Sequence, residues 1–387
     1  MDWVFPAAQR RATAEYAKVN ESNVEVDIEF TQTVNKGMAE DTMDATNTSA
    51  DANTGTDTST STSTSTGIQR QHMLQFIRCA TQAPSGHNTQ PWKFRIHDGH
   101  TIDIVPDFAK TLPVVDTNNR ELYISLGCAL ENLCIAAGHE GYGYDIVSQG
   151  KQGITIHLAK GTSENEDGLF TQIKARQTNR GVYSGRTMDD ETLLALDQVR
   201  VQPDTRMYVA KIGERFADTL TQYIVQGNDM QMNDDDFKNE LISWMRFTKG
   251  EVERMRDGLA HDVMGFPAIP RAVGRLIVGG FLKPRKQNES DLAKIRSSSH
   301  LVLLTTKHNT VSEWIDLGRT LESLLLTATK FNLAHAYLNP PCEIAALADG
   351  MRTALPIHEE YPSLIVRLGY ADPMPCSPRQ SVEKVIE

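Results

Sequence analysis

One twelve-residue pattern occurs twice in the 387-residue chain, and it restricts the fold more than any other feature. LGCALENLCIAA (126–137) aligns without a gap on LGRTLESLLLTA (317–328), an offset of 191 residues that brings Gly127 onto Gly318. In the first copy Leu126, Leu130, Leu133, Cys134 and Ala137 recur at helical spacing; in the second, Leu317, Leu321, Leu324, Leu325 and Ala328 do the same. Each copy therefore predicts a helix with one buried face. A glycine inside a helix costs about 1 kcal/mol relative to alanine. Its presence at the same place in both copies predicts two equivalent helices packed closely together. Thr310 and Glu313 have the spacing of a capping box and mark the start of the second helix.

Strand candidates flank both helices. Lys93–His97 and Thr101–Val105, joined by the turn Asp98-Gly99-His100, precede the first, and Gly153–Leu158 follows it. His300–Thr306 precedes the second, with His335–Leu338 and Leu364–Leu368 after it. The chain thus predicts an α+β fold of two similar halves, 68–165 and 166–387. Neither half buries much apolar surface alone, so the two are expected to share one core.

Residues 1–67 contain four basic and eleven acidic side chains, so they carry −7 of the net charge of −11. The stretch 42–66 is mostly Thr and Ser, and no aromatic residue stands between Gly37 and Gly67. The expectation is a disordered acidic tail over 1–67, within which Val24, Val26, Ile28 and Phe30 alternate like a strand. The remaining residues show no basic stripe to track a nucleic-acid backbone or an anionic membrane, so neither is expected as a partner. No apolar run reaches the roughly 20 residues of a membrane-spanning helix. Cys79, Cys128, Cys134, Cys342 and Cys376 have no CxxC spacing, which fits a reducing, cytoplasmic interior without disulfides or a zinc site. Arg10-Arg11 follows the apolar Trp3-Val4-Phe5 stretch instead of preceding it, the reverse of a signal peptide.

The stretch Arg78–Phe94 closes a helix at Pro84, crosses a polar loop rich in hydrogen-bonding side chains and enters a strand. On its own this loop suits either a flat, acceptor-rich heteroaromatic ligand or a well-capped turn. Its sequence APSGHNTQPWKF resembles the signature loop of the FMN-dependent nitroreductase family, and the segment 106–142 continues the resemblance. Arg176-Gln177-Thr178-Asn179-Arg180 is similar to that family's arginine motif, and Pro375-Cys376-Ser377-Pro378-Arg379 to its C-terminal phosphate-contacting segment. The motif order resembles the single-chain, fused Acg-type subgroup, in which two nitroreductase-like halves imitate a homodimer. The resemblance covers about residues 70–387.

That resemblance implies one FMN site per chain, with NAD(P)H as electron donor. Arg176, Thr178 and Arg180 would hold the phosphate and the polar edge of the ring, and Arg379 would add a second guanidinium fork. Pro84, Ser85, Gly86, Asn88 and Gln90 would line the opposite wall. Asn339-Pro340-Pro341-Cys342-Glu343 resembles the family's loop facing flavin N5, which places Pro341 and Glu343 there; the chain departs from it at Ile344, where the family commonly has Gly. The implied activity passes a hydride from NAD(P)H through FMN to an electron-poor acceptor such as a nitroaromatic or quinone. The alternative is a non-catalytic FMN-binding or storage protein whose lid blocks the nicotinamide. The fused halves make a monomer the expected state.

The stretch 229–286 reads as a helical insert, either a lid over the flavin or an added packing pair. Leu241, Met245, Thr248, Val252, Met255 and Leu259 fall on one helical face, Pro267 and Pro270 interrupt the chain, and Gly279-Gly280 permits a bend. Trp244, Met245 and Phe247 are candidates either for stacking over a flavin or for core. No HExxH, P-loop, GxGxxG or GxSxG occurs, and Ser85 beside His87 lacks the third member a hydrolase triad needs.

Overall fold

The computed structural model describes residues 70–161 and 168–387. The tail expected over 1–67, with its alternating Val24–Phe30 stretch, lies outside the described residues.

The two repeat copies form α2 (Arg120–His139) and α10 (Val311–Lys330). They cross at the glycines: a Cβ on Gly127 would lie 2.0 Å from the Ile315 carbonyl oxygen, and one on Gly318 2.0 Å from that of Ile124. Ile124 and Ile315 are themselves one repeat apart, so the contact is nearly two-fold symmetric. Tyr123 and Trp314, also equivalent in the repeat, bring their rings to 6.2 Å across the same interface. The capping box at Thr310 and Glu313 is formed.

Each half supplies an antiparallel sheet to this helix pair. The first runs β1 (Trp92–Ile96), β2 (Thr101–Pro106), β4 (Gly153–Lys160), β3 (Tyr142–Gly150). The β1–β2 turn is held by the Asp98 carboxylate, which accepts from the backbone N–H groups of His100 and Thr101. The second runs β5 (Thr205–Lys211), β8 (His300–Thr306), β10 (Tyr361–Gly369), β9 (Ala334–Tyr337). Ile102 and Ile104 of the first sheet, Val302, Leu304 and Val366 of the second, and Phe76 and Ile77 of the opening helix α1 (70–80) join the helix faces in one core. β8 is buried along its whole length: Leu301 and Leu303 turn to a second cluster under α5 (Arg215–Asn233) and α12 (Ala345–Ala354). A strand covered on both faces shows an apolar run without alternation.

The α+β arrangement of two pseudo-symmetric halves expected from the repeat is the arrangement observed. β3 and β5 were not expected from the sequence. Both are edge strands in which only Tyr142 of β3 and Thr205 and Ala210 of β5 are buried, so their apolar alternation is weak.

Two crossings position the site. The arginine motif lies along the edge of the second sheet, where Thr178 bridges His335. The C-terminal segment returns to the first sheet, where Ile386 bridges Phe94 and the Glu387 N–H donates to the Phe94 carbonyl. Between them α13 (Val382–Val385) buries Val382 and Val385 in the shared core.

The insert departs from its expected single helical face. α6 (Asp235–Trp244) stops where Met245–Arg246 (β6) pairs in parallel with Leu259–Ala260 (β7). A new capping box, Thr248 with Glu251, then starts α7 (Lys249–Met255). Leu241, Met245, Val252 and Leu259 therefore belong to different elements. Gly258 is left-handed at φ +74° and sits where a Cβ would meet the Trp244 carbonyl at 2.3 Å. α8 (Arg271–Phe281) runs through Gly279 and Gly280 without the expected bend, and α9 (Pro284–Ser297) follows.

Candidate functional site

The loop after α1 turns through a short 3-10 segment, Gly86–Asn88. His87, Asn88 and Gln90 are all left-handed, at φ 48°, 56° and 56°. Three such non-glycine residues in a row of four require outside support. Ser85 Oγ accepts from the Gln90 N–H at 2.9 Å. The Asn88 amide donates to the carbonyls of Gly258 (3.1 Å) and Pro378 (3.2 Å), and its oxygen accepts from Arg379 Nη1 at 2.9 Å. Gln90 donates to the Arg256 carbonyl and accepts from the Gln380 N–H, both at 2.8 Å. Loop, insert and C-terminal segment are thereby locked together.

Beside this loop lies a cavity of about 590 Å³, lined by both halves and by the insert. Pro84, Ser85, Gly86 and Asn88 form one part of the wall; Arg176, Thr178, Arg180 and Arg379 form another. Arg176 follows the short helix α3 (Phe170–Ala175) and donates from Nη2 to the Gln82 carbonyl at 2.8 Å. Arg379 Nη2 donates to the same oxygen at 3.2 Å. Arg176 Nε lies 3.4 Å from Glu322 Oε1, with both side chains almost fully buried. Glu322 stands one repeat from Glu131, which in turn binds Arg319 at 2.8 Å.

The guanidinium groups outnumber the carboxylate set against them. Burial and the neighbouring Arg176 push Arg379 down to about 9. Burial, helped by Arg180, holds His87 near 4, and burial with Arg176, Arg367 and Arg180 holds His335 near 3, so both imidazoles are neutral. Arg180 Nη1, Arg379 Nε and the Tyr337 hydroxyl are buried without a hydrogen-bond partner. Excess cations at the cavity wall with buried, unused donor atoms fit an anionic ligand bearing several acceptor oxygens. The phosphate and polar ring edge of FMN have that chemistry.

A second polar group faces the cavity. Glu121, in the first turn of α2, and Glu343, at the end of α11 (Pro340–Glu343), meet in a carboxyl–carboxyl hydrogen bond. The Asn339 amide donates to Glu121 at 3.2 Å, and Gln231 of α5 donates to Glu343. Burial, then the Glu343 charge, raises Glu121 to about 8; burial raises Glu343 as well. The pair shares a proton near neutral pH. Gly86 sits against it, where a Cβ would lie 3.0 Å from Glu121 Oε2.

Nine of the eleven residues expected at the site line the cavity: Pro84, Ser85, Gly86, Asn88, Arg176, Thr178, Arg180, Glu343 and Arg379. Gln90 does not; its amide is spent on Arg256 and Gln380, behind the wall. Pro341 does not either: it is buried in α11, and Pro340 and Asn339 take the wall position. Ile344 has φ −106° and ψ 110°, extended backbone that needs no glycine. Trp244 and Phe247 lie off the cavity. Phe247 packs against Gly274 of α8, while the insert's apolar contribution to the wall includes Phe237, Leu241, Leu259, Met264 and Leu282. The sequence reading missed Glu121, Gln231, Tyr337 and Asn339. Asn339 and Glu343 lay inside the quoted loop, but nothing in the sequence joined Glu121 to them.

No family model matches the chain. Among curated proteins, it is 26% identical over 334 residues to "Putative NAD(P)H nitroreductase Rv3131" of Mycobacterium tuberculosis H37Rv, covering 80% of this chain and 90% of the relative. It is 24% identical over 330 residues to "Putative NAD(P)H nitroreductase acg" of the same organism, covering 80% of this chain and 93% of the relative. Among solved structures, the FMN- and NADPH-dependent nitroreductase NfnB from Sphigopyxis sp. strain HMH aligns at a TM-score of 0.37 and 14% identity, over 57% of this chain and 97% of that one. The nitroreductase-like, Acg-type resemblance read from the motifs is thus also a resemblance over most of the chain.

Proposed function

We propose that the protein is an FMN-dependent oxidoreductase of nitroreductase type. The observation that carries this is the convergence of three guanidinium groups, Arg176 buried and Arg180 and Arg379 half-buried, and the signature loop on one cavity, with Glu322 as the carboxylate set against them. FMN held there would supply hydride-transfer chemistry between NAD(P)H and an electron-poor acceptor such as a nitroaromatic or quinone. Arg176 and Arg379 would hold the phosphate, while Arg180 and Thr178 bind the ring's polar edge. Pro84, Ser85, Gly86 and Asn88 form the facing wall, with Gln90 and Pro341 positioning it from behind. The Glu121–Glu343 pair keeps one proton at the cavity wall. The halves 68–165 and 166–387 act as one unit, and the fused pair works as a monomer on a small-molecule substrate in the cytoplasm.

A second reading, FMN storage, is favoured by the apolar wall that the insert adds at Phe237, Leu241, Leu259 and Met264. One titration separates the two. The purified protein, loaded with FMN and kept free of oxygen, is mixed with NADH or NADPH while flavin absorbance is followed. Bleaching supports the reductase. A flavin that stays oxidised under both donors assigns the protein to storage, and failure to bind FMN removes both readings.

A further inference from the structure

α8 presents an apolar stripe to solvent on the outer side of the insert. Val273, Leu276, Ile277 and Phe281 recur at helical spacing and are 46%, 79%, 45% and 57% exposed. The helix has not swung away from the protein. Its inner face is seated so tightly that a Cβ on Gly274 would lie 2.3 Å from the Phe247 ring, and Val278 packs into the insert's own cluster. The outward stripe is therefore a settled surface, and exposed apolar surface of this kind marks an interaction site.

Against the sequence expectation of no membrane partner, the charge around the stripe is one-sided. Between Val263 and Asn288 the chain has Arg271, Arg275, Lys283, Arg285 and Lys286 but no Asp or Glu, in a protein of net charge −11. Arg271 turns inward to Glu251 at 3.1 Å, and Arg285 pairs with Glu289 at 2.9 Å. Arg275, Lys283 and Lys286 are exposed, with no ion pair among the described residues. Lys286 Nζ lies 4.1 Å from the Phe281 ring centroid, so its charge rests on the aromatic end of the stripe itself. An apolar stripe flanked by unpaired cations that can snorkel is complementary to the headgroup layer of an anionic bilayer.

We infer that α8 and the start of α9 form a docking surface for an anionic membrane, on which the protein sits peripherally. The proposal does not depend on the redox reading, although Leu282, which follows Phe281, lines the cavity and docking would bring that wall to the bilayer surface. A second copy of the chain fits less well, because two such faces would bring like charges together.

The test is flotation of the full chain with vesicles of phosphatidylglycerol and phosphatidylcholine against vesicles of phosphatidylcholine alone. Binding is expected on the anionic vesicles and is expected to weaken as salt rises. L276E, at a side chain with no packing to lose, should lower binding at least roughly tenfold. The double variant K283E/K286E should lower it roughly a hundredfold. Far-ultraviolet circular dichroism and thermal midpoints of both variants should match the parent. Absence of flotation, equal flotation on both vesicle types, or undiminished flotation of L276E would overturn the proposal. So would a vesicle-free dimer in sedimentation that L276E abolishes, which would give the face to a second copy.

Discussion

Arg176 and Arg379 converge on one acceptor, the Gln82 carbonyl, from points about two hundred residues apart in the chain. A hydrogen bond to a charged group is worth about 1.5–3 kcal/mol. Arg176→Ala should therefore weaken FMN retention by roughly ten- to a hundredfold, read as the flavin-to-protein absorbance ratio after dialysis; an unchanged ratio would refute the phosphate assignment. The Glu121–Glu343 pair makes a prediction about pH. Glu121 is raised from its ordinary 4.5 to about 8, so the native state keeps a proton that the unfolded chain has released. Stability is then greatest below the unfolded value and falls as pH rises through that window. Glu121→Gln still donates to Glu343 but cannot titrate, and should remove about one proton's worth of that slope. Denaturant midpoints of the flavin-free protein at about pH 5 and about pH 8 read the difference; parallel pH profiles would sink the shared proton. The arginines were legible because they sit in short, distinctive motifs. Glu121 was not, because Arg120-Glu121 reads as an ordinary charged helix start and its partner arrives from the other half.

At the scale of elements, two helical glycines should respond in opposite directions. Gly127→Ala would drive a methyl group into the Ile315 carbonyl and should cost about 3 kcal/mol, the upper end of overpacking effects. Gly279→Ala points into open space within α8 and should stabilise by about 0.5–1 kcal/mol. Chemical denaturation measures both; two gains would mean that helix propensity outweighs the crossing, and two losses that Gly279 is not free to take a side chain. Repetition made α2 and α10 readable, since the same buried face was written twice. The edge strands β3 and β5 escaped because most of the side chains they set against the clusters, Tyr144 and Ile146 in β3 and Met207 and Tyr208 in β5, are only partly buried and stand among polar neighbours. In the insert, side chains at Leu241, Met245, Val252 and Leu259 kept helical spacing by coincidence while the backbone broke at the β6–β7 bridge. The capping box Thr248–Glu251 was the signal that could have shown the break.

For the molecule as a whole, the halves are joined by a buried helix pair and by buried polar ties such as Arg319 with Glu131. They should unfold together. Fluorescence, to which Trp92 of the first half and Trp314 of the second contribute, should trace the same denaturation curve as circular dichroism. Two separated transitions would mean that the halves are independent domains. The repeat made the overall plan legible, and the motifs made most of the cavity legible. Which side chains brace the wall instead of facing it depended on crossings between distant segments. One of those crossings, Arg379 on Asn88, also sets a temporal order. During synthesis the loop residue emerges long before its partner, with 291 positions still to be added, so the anion pocket is incomplete on the growing chain. Under the proposed function, flavin loading would accordingly be a late event in the protein's maturation, after both sheets and the central helix pair have had their chance to form.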